Sequence, residues 1–184
     1  MPRRWRYGLL LGVGLALLGV GAGYISGAAR TYSVASASME PTLHCGGGPG
    51  CLRLQPDQVL TDGIEYLFRS PARGDIVILQ PSSANSRCHD QAVLLKRIVA
   101  VGGEAFAYIH GSVFINGKHL RERYTMTRFW GRGNFGPIRI PPNEFFVMGD
   151  NRSASCDSRE FGPIPRSAIL GRVILVYSPQ MRLP

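Results

Sequence analysis

An uncharged run of 23 residues, Tyr7 to Ala29, lies near the N-terminus of this chain. As a helix it would be about 34 Å long, which is enough to cross the hydrocarbon core of a bilayer. It is also longer than the roughly 7–15 apolar residues of a cleavable signal peptide. Three arginines precede the run and predict a cytoplasmic N-terminus. We therefore expect residues 1–30 to be a basic N-terminus with a single transmembrane anchor, and residues 31–184 to be one extracytoplasmic domain.

A cleavable signal peptide is the competing interpretation. The stretch Ala35-Ser36-Ala37 has the small-residue pattern of a cleavage site, and cleavage there would leave Ser38 as the mature N-terminus. Both interpretations place the remaining domain outside the cytoplasm.

The charge of the chain is strongly positive, with a formal net charge of +9. The four arginines of residues 1–30 account for part of it, and the 17 remaining basic residues exceed the 12 acidic ones by five. These basic residues are scattered, without a run of them that alternates with aromatic residues. We expect a solvated basic surface near a lipid bilayer, and no nucleic-acid partner.

Four cysteines in an exported chain predict disulfides. Three pairings are possible; Cys45 and Cys51 flank the flexible segment GGGPG, and a bond between them would leave Cys88 for Cys156. A zinc site is the alternative, although the spacing matches no common zinc pattern. Its candidate ligands would be His44, Cys45, Cys51, Cys88 and His89. We predict no metal and no organic cofactor.

The domain is predicted to be mainly β, because β-branched and aromatic runs are separated by Gly, Pro and Asn. The predicted strands are 75–79, 92–101, 144–148 and 171–177. Residues 105–120 alternate between apolar and polar and contain Asn116-Gly117, which is typical of a type I′ hairpin turn. The predicted loops are 44–57, 80–91 and 128–143, and 165–170 is a possible helical turn. An antiparallel sheet with hairpins and long loops follows.

Lys96 is the unusual residue of the predicted strands, since it lies inside the apolar stretch AVLLKRIVAV. Burial would lower its pKa and leave a neutral amine that can accept a serine proton. The alternative is that strand alternation turns Lys96 to solvent. The four histidines, the usual bases in serine enzymes, lie in predicted loops or turns, and we expect them to be ordinary surface residues. They are His44, His89, His110 and His119.

The segment 147–165, VMGDNRSASCDSREFGPIP, follows a predicted strand and combines charged residues with small hydroxyl residues. Ser155 or Ser158 could donate a hydrogen bond to a buried amine. We expect four charged side chains to interlock as ion pairs and hold the loop rigid. They are Asp150, Arg152, Asp157 and Arg159. An ordinary polar surface loop is the alternative.

Four segments in order resemble the successive sequence boxes of type I signal peptidases, the membrane-anchored serine-lysine proteases of family S26. They are SASMEPTL (36–43), RGDIVIL (73–79), LLKRIVAVGGE (94–104) and MGDNRSASCDSREFGPIP (148–165). The pattern Ser38-Met39-x-Pro41-Thr42 by itself would be a weak signal, but four ordered boxes behind an N-terminal anchor are highly specific.

The resemblance implies a role for each matching residue. Ser38 resembles the nucleophile and Lys96 the general base, while Ser36 and the Ser38 backbone N–H resemble the oxyanion hole. Ser155 resembles the serine that orients the lysine. The residues that resemble the charged support of the site are Asp150, Asp157 and Arg159.

The same resemblance implies removal of signal peptides from exported preproteins through an acyl-enzyme. The substrate would bind as an extended strand, with small residues in narrow pockets before the cut. Two departures are the pair Ser153-Ala154 and the glycine-rich loop between Cys45 and Cys51. A Cys88–Cys156 disulfide would tie the loop that carries Ser155 to the segment before Lys96.

Three alternatives to this function stay open. A specialised maturation peptidase of the same family would differ only in its substrate. A cytoplasmic autoprotease of the SOS-repressor type would share the serine-lysine chemistry, but the anchor and the cysteines oppose it. A catalytically inactive, membrane-tethered β-domain would bind partners without cleaving them.

Overall fold

The computed structural model describes residues 29–80, 93–126 and 133–184. The predicted transmembrane anchor falls almost entirely on residues 1–28 and thus lies outside the described residues. Within the described ranges no helix has the length and hydropathy needed to cross a membrane.

Eleven strands and two short helices make up the described part of the chain. The strands are β1 (Ala29–Ser33), β2 (Gln58–Asp62), β3 (Ile76–Leu79), β4 (Leu94–Val101), β5 (Ala105–Ile109), β6 (Ser112–Ile115), β7 (Lys118–His119), β8 (Phe135–Arg139), β9 (Glu144–Met148), β10 (Ile164–Pro165) and β11 (Ile169–Ser178). The helices are α1 (Glu65–Phe68) and α2 (Ser158–Phe161), and 3₁₀ turns span Ala37–Met39 and Arg166–Ala168.

The larger sheet has seven strands in the order β1-β2-β11-β3-β4-β9-β10, and every pairing is antiparallel. Strand β4 lies inside this sheet, paired with β3 on one side and β9 on the other. Its residues are mostly buried because apolar clusters pack on both faces of the central strands. A side chain on β4 therefore has little access to solvent.

The smaller sheet has the order β7-β6-β5-β8. Its two hairpin turns, at His110-Gly111 and Asn116-Gly117, place both residues at positive φ, as type I′ turns require. A cluster that includes Phe106, Val113 and Phe146 packs the small sheet against β4 and β9. The two sheets thus share a core next to the end of β9.

The prediction of a mainly β, antiparallel domain is confirmed. All four predicted strands form, with ends shifted by at most two residues, and the possible helical turn at 165–170 is a 3₁₀ turn. Strand β8 contradicts the prediction of a loop over 128–143; its sequence FGPIR contains Gly and Pro, which favoured a loop. Strands β1, β2 and β10 and the two short helices were missed. The predicted loop at 80–91 lies almost wholly outside the described residues.

Candidate active site

Ser38 lies in the 3₁₀ turn Ala37–Met39, which follows β1. The turn is buried on both sides of the serine, since Met39 belongs to the apolar cluster under β2, β3 and β11. Ser38 itself is only 5% exposed. Its hydroxyl therefore has a fixed position among a small number of neighbours.

Lys96 lies in the middle of β4 and is buried, with 2% of its surface exposed. The interpretation that Lys96 faces solvent is wrong, because β4 is paired on both edges and covered on both faces. Its Nζ lies 2.8 Å from Ser38 Oγ and donates to the backbone oxygen of Leu95 at 2.9 Å. The fold thus brings together a hydroxyl and an amine 58 residues apart in sequence.

Burial lowers the pKa of Lys96 from 10.5 to about 8, because a charged amine loses hydration there. The negative charges of Asp157 and Asp150 act in the opposite direction and raise this pKa, whereas Arg159 lowers it. A substantial fraction of Lys96 is consequently neutral near pH 8. A neutral amine within hydrogen-bond reach of a hydroxyl can act as its base.

Ser36 is the second hydroxyl at the site, and its Oγ lies 3.2 Å from Ser38 Oγ. Both serines line a cleft of about 240 Å³. The other walls come from the end of β1 and from the start of β4, including Tyr32, Val34 and Leu95. The cleft is open beside the Ser38–Lys96 pair and is mostly apolar.

The turn at Gly149-Asp150-Asn151 holds the backbone of the Ser38 turn. The Asn151 N–H donates to Ser38 O at 3.1 Å, and Asn151 Nδ2 donates to Ala37 O at 3.1 Å. A Cβ on Gly149 would collide with Ser38 O and with the Ser155 hydroxyl. Asn151 and Gly149 therefore position Ser38, a role that the sequence interpretation did not assign to either residue.

Asp150 is fully buried and binds Arg97, the residue after Lys96. Arg97 Nε and Nη2 donate to the two carboxylate oxygens of Asp150 at 2.9 and 2.7 Å, and Thr42 Oγ1 donates at 2.6 Å. The Arg97 guanidinium also stacks over the Tyr124 ring. These contacts join β4, the 149–151 turn and the segment after Ser38.

The predicted interlocking of four charged residues is correct only in part. Asp157 and Arg159 do pair, with Nε–Oδ1 at 2.8 Å, and Asp157 also accepts from the Gly149 N–H at 3.1 Å. Asp150 pairs with Arg97 and not with Arg152. Arg152 instead forms its ion pair with Glu122. The reason is topological, because β4 and the segment after β7 bring closer partners to the loop.

The structure does not form the hydrogen bond expected between a loop serine and Lys96. Ser155 Oγ is buried and has no hydrogen-bond partner among the residues that the structure describes. Ser158 Oγ accepts from the Val147 N–H at 3.0 Å and so supports β9. The Ser155 hydroxyl does pack beside Gly149, which in turn contacts Ser38.

Glu40 and His44 form a buried pair behind the Ser38 turn, and the prediction that His44 is an ordinary surface residue is wrong. His44 Nδ1 lies 2.6 Å from Glu40 Oε2. Glu40 Oε1 accepts from the N–H groups of Cys45 and Leu52, both at 3.1 Å. Glu40 thus closes the base of the loop that contains Cys45 and Cys51. His110 and His119 are exposed as predicted, and His89 lies outside the described residues.

Cys45 and Cys51 form a disulfide, which is one of the pairings that the sequence allowed. This bond uses two of the five candidate zinc ligands. No free cysteine occurs in the part of the chain that the structure describes. Cys88 lies outside the described residues, so the Cys88–Cys156 pair stays a prediction.

The family model and two curated relatives that match this chain name the same family. The model of the family "Signal peptidase, peptidase S26" matches residues 4–178. A probable signal peptidase I-2 of Synechocystis sp. is 32% identical over 155 residues, which cover 84% of this chain and 66% of that protein. A signal peptidase I of Leptolyngbya laminosa is 32% identical over 157 residues, covering 84% and 71%.

The chain therefore spans slightly less than two thirds of the Synechocystis protein's length. Among solved structures, the crystal structure of a signal peptidase I from Enterococcus faecalis is similar at 26% identity and a TM-score of 0.46. The match covers 57% of this chain and 97% of that one.

Proposed function

The chain belongs to the signal peptidase family, peptidase S26, and we propose that it is a serine endopeptidase that removes N-terminal signal peptides from exported preproteins. The resemblance of its sequence to that family is confirmed by the family match over residues 4–178. The observation that carries the proposed activity is the 2.8 Å contact between Ser38 Oγ and the buried Lys96 Nζ. No metal or organic cofactor takes part in the proposed reaction.

In the proposed reaction neutral Lys96 accepts the proton of Ser38. Ser38 Oγ then attacks the carbonyl carbon of the residue before the cut, and the new amine leaves with a proton from Lys96. An acyl-enzyme remains on Ser38. Lys96 next accepts a proton from water, and the resulting hydroxide attacks the acyl carbon. The bond from that carbon to Ser38 Oγ breaks, Lys96 returns the proton to Ser38 Oγ, and the signal peptide leaves with a new carboxyl terminus.

The tetrahedral oxyanion needs hydrogen-bond donors, and we assign this role to the Ser36 hydroxyl and the Ser38 backbone N–H. Ser36 is suited to it because its hydroxyl is 3.2 Å from the nucleophilic oxygen. Asn151 and Gly149 hold the turn in place. The donors would therefore be preorganised before substrate binds.

Ser155 is proposed to orient Lys96 during the reaction. Its hydroxyl is buried, packs beside Gly149 at the Ser38 turn and has no partner within residues 29–80, 93–126 and 133–184. When Ser38 Oγ bonds to the acyl group, the Lys96 amine loses that contact. The Ser155 hydroxyl is then available to accept a hydrogen bond from Lys96.

The cleft of about 240 Å³ beside Ser38 is the proposed binding site for the residues before the cut. Two of its walls are the end of strand β1 and the start of strand β4. An extended substrate between them would direct alternate side chains into the cleft. The resemblance to the family implies that the side chains next to the cut are small.

The proposed location is the plasma membrane, with residues 1–30 as cytoplasmic N-terminus and single anchor and residues 31–184 outside the cytoplasm. The uncharged run up to Ala29 ends where β1 begins. Ser38 follows only nine residues later. A site so close to the end of an anchor would meet a signal peptide at the lipid surface.

The decisive experiment measures cleavage of a preprotein by the full chain and its variants. We expect Ser38→Ala and Lys96→Ala each to lower the cleavage rate at least about 1000-fold. Lys118→Ala is the matched control, because Lys118 lies exposed on β7 and should cleave like the parent. Equal cleavage by all four proteins would overturn the proposal.

A further inference from the structure

Arg182 follows β11 and lies outside residues 4–178, the part of the chain that matches the family. Its backbone pairs with β11, because the Arg182 N–H donates to Val176 O at 2.8 Å and the Val176 N–H donates to Arg182 O at 2.9 Å. Val176 is fully buried in the apolar cluster that also contains Met39 of the Ser38 turn. The Arg182 side chain therefore starts from a fixed point on the large sheet.

The guanidinium of Arg182 binds the carboxylate of Asp57 and one backbone oxygen. Nη1 donates to Asp57 Oδ1 at 3.1 Å, and Nη2 donates to Asp57 Oδ2 and also to Thr42 O, the latter at 3.1 Å. Asp57 is fully buried. Burial raises the pKa of Asp57, but the hydrogen bonds and the charge of Arg182 help to outweigh it, and the pKa lies below its usual value. Asp57 is therefore a charged acceptor at neutral pH.

Asp57 holds the chain on both sides of Ser38. Before the serine, Asp57 O accepts from the Val34 N–H at 2.9 Å. After the serine, the Asp57 carboxylate accepts from the His44 N–H at 2.8 Å, and the Asp57 N–H donates to His44 O at 2.8 Å. The segment that carries Ser38 is thus fixed at both of its ends to one residue, and Arg182 supplies the counter-charge of that residue.

The contact with Thr42 connects Arg182 to the strand of the proposed base. Thr42 Oγ1 donates to Asp150 Oδ2 at 2.6 Å, and Asp150 binds Arg97, the neighbour of Lys96 on β4. Nη2 of Arg182 holds the backbone oxygen of the same threonine. Thr42 is therefore fixed from two directions, through its hydroxyl toward β4 and through its carbonyl toward the segment after β11.

A guanidinium is suited to this pair of acceptors. Its planar fork directs two nitrogens at one carboxylate, and Nη2 has a second hydrogen for Thr42 O. A lysine ammonium is a point charge and does not reproduce this fork. The bond to Thr42 O distinguishes Arg182 from an arginine in an ordinary surface ion pair, which contributes little to stability.

We propose that Arg182 is a positioning residue for the nucleophile, because its contacts with Asp57 and Thr42 O hold the segment on both sides of Ser38. This role rests on the proposed function, since it concerns the rate of the same reaction. Loss of Arg182 leaves Asp57 as a buried carboxylate without its counter-charge, and the segment that it holds shifts. A small shift of a nucleophile lowers the rate of attack more than the affinity for substrate.

The test measures kcat and KM for preprotein cleavage by the full chain and by Arg182→Ala, at a temperature where both proteins are folded. We expect kcat to fall about tenfold and KM to change by less than about twofold. Arg139→Ala is the matched control, because it also removes a guanidinium that donates to a backbone oxygen, Gly103 O, but on the small sheet. Its kcat and KM should equal those of the parent.

Added guanidinium chloride separates positioning from a general loss of stability. The Arg182 side chain is 28% exposed, so in Arg182→Ala a guanidinium ion can reach Asp57 from solvent. Low, non-denaturing concentrations should raise kcat of Arg182→Ala several-fold, whereas sodium chloride at the same concentration should not. Guanidinium lowers the free energy of unfolding of proteins, so a gain in stability cannot explain such a rescue. The double variant Arg182→Ala with Asp57→Asn should not be rescued.

Amide hydrogen exchange tests the same contacts without reference to cleavage. The Val34 and His44 amides both donate to Asp57, so Arg182→Ala should speed their exchange about tenfold. The Val147 amide, which donates to Ser158 Oγ in β9, should exchange at the rate of the parent. Arg182→Lys retains the charge, and replaces Arg182→Ala in each measurement if the alanine variant does not fold.

The outcomes separate this role from the proposed function. A parent that cleaves, beside a folded Arg182→Ala variant with the same kcat, overturns the role of Arg182 and leaves the peptidase assignment intact. A lowered kcat that guanidinium does not restore, or the failure of both Arg182 variants to fold, assigns Arg182 to stability and also overturns it. A parent that does not cleave overturns the proposed function and, with it, the role of Arg182.

Discussion

Lys96 and Arg97 are adjacent on β4, both buried and both basic, yet their surroundings are opposite. Arg97 meets the carboxylate of Asp150 through two hydrogen bonds; burial lowers the pKa of Arg97, but those bonds and the charge of Asp150 outweigh it and raise that pKa. Among the described residues no carboxylate contacts Lys96, and burial lowers its pKa to about 8. The comparison shows how one strand provides a permanent charge that holds the site together and, beside it, an amine that can lose its proton.

Removal of the charge that pairs with Arg97 should change the free energy of unfolding more than any other substitution considered below. Asp150→Asn leaves a buried guanidinium without its counter-charge, which should lower the free energy of unfolding by about 3–5 kcal/mol. Urea denaturation of the variant and the parent measures the difference. Glu160→Gln is the matched control, because Glu160 is an exposed carboxylate ten residues further along the chain, and its effect should stay within about 0.5 kcal/mol.

The double variant Arg97→Met with Asp150→Leu tests whether the unpaired charge of Arg97 causes the loss of stability in Asp150→Asn. Replacing both partners of a buried ion pair with apolar residues is often close to neutral for stability. We expect the double variant to recover most of the stability that Asp150→Asn loses. A double variant as unstable as the single one would show that the hydrogen bonds to Thr42 and Gly74, rather than the unpaired charge, dominate.

Lys96→Met removes a buried amine that contacts no counter-charge in the ranges that the structure describes, and this substitution should increase the free energy of unfolding. The shift of the Lys96 pKa from 10.5 to about 8 corresponds to ~3 kcal/mol at 1.36 kcal/mol per pKa unit. The unfolded chain keeps its proton to a higher pH than the folded one, so this cost is complete below pH 8 and disappears between about pH 8 and 10.5.

We therefore expect Lys96→Met to be more stable than the parent at pH 7 by up to ~3 kcal/mol, with a difference that shrinks as pH rises. Urea denaturation at pH 7 and at pH 9.5 tests both statements. Lys118→Met on the exposed strand β7 should show neither the gain nor the pH dependence. A Lys96→Met variant with a pH-independent difference would mean that Lys96 is not deprotonated in the folded state.

The sequence predicted the Ser38–Lys96 pair through the resemblance, and the strands that carry it through their apolar runs. It did not predict the partner of Asp150, because the contact with Arg97 joins residues 53 apart and depends on strand register. The contacts of Asn151 with Ala37 and Ser38 were missed for the same reason, although the sequence Gly149-Asp150-Asn151 did predict a turn. His44 was misassigned because a loop of glycines suggested exposure, whereas Glu40 and the disulfide bury it. Long-range pairing of polar groups has no local signal in one sequence.

Asn151→Ala probes how Ser38 is positioned. The variant loses the Nδ2 hydrogen bond to Ala37 O but keeps the backbone bond from residue 151 to Ser38 O. We expect unfolding free energy to fall by about 1 kcal/mol and the cleavage rate to fall about tenfold, since small displacements of a nucleophile are costly. Ser153→Ala is the control, because it removes only the hydroxyl that donates to Asn151 Oδ1. A lowered unfolding free energy with an unchanged cleavage rate would assign Asn151 to folding alone.

Ser155→Ala should have the smallest effect on stability, and its effect on activity decides the role of the hydroxyl. Because Ser155 Oγ has no partner in the described part of the chain, its removal should change the unfolding free energy by less than about 0.5 kcal/mol. If the hydroxyl holds Lys96 once Ser38 is acylated, cleavage should slow about tenfold, and deacylation should slow more than acylation. Burst kinetics with an activated ester separate the two steps.

The matched variant Ser158→Ala also removes a buried hydroxyl of this loop, but one that accepts from the Val147 N–H. It should therefore lower stability without a selective loss of deacylation, and equal deacylation rates for Ser155→Ala and the parent would leave the orientation of Lys96 to β4 alone.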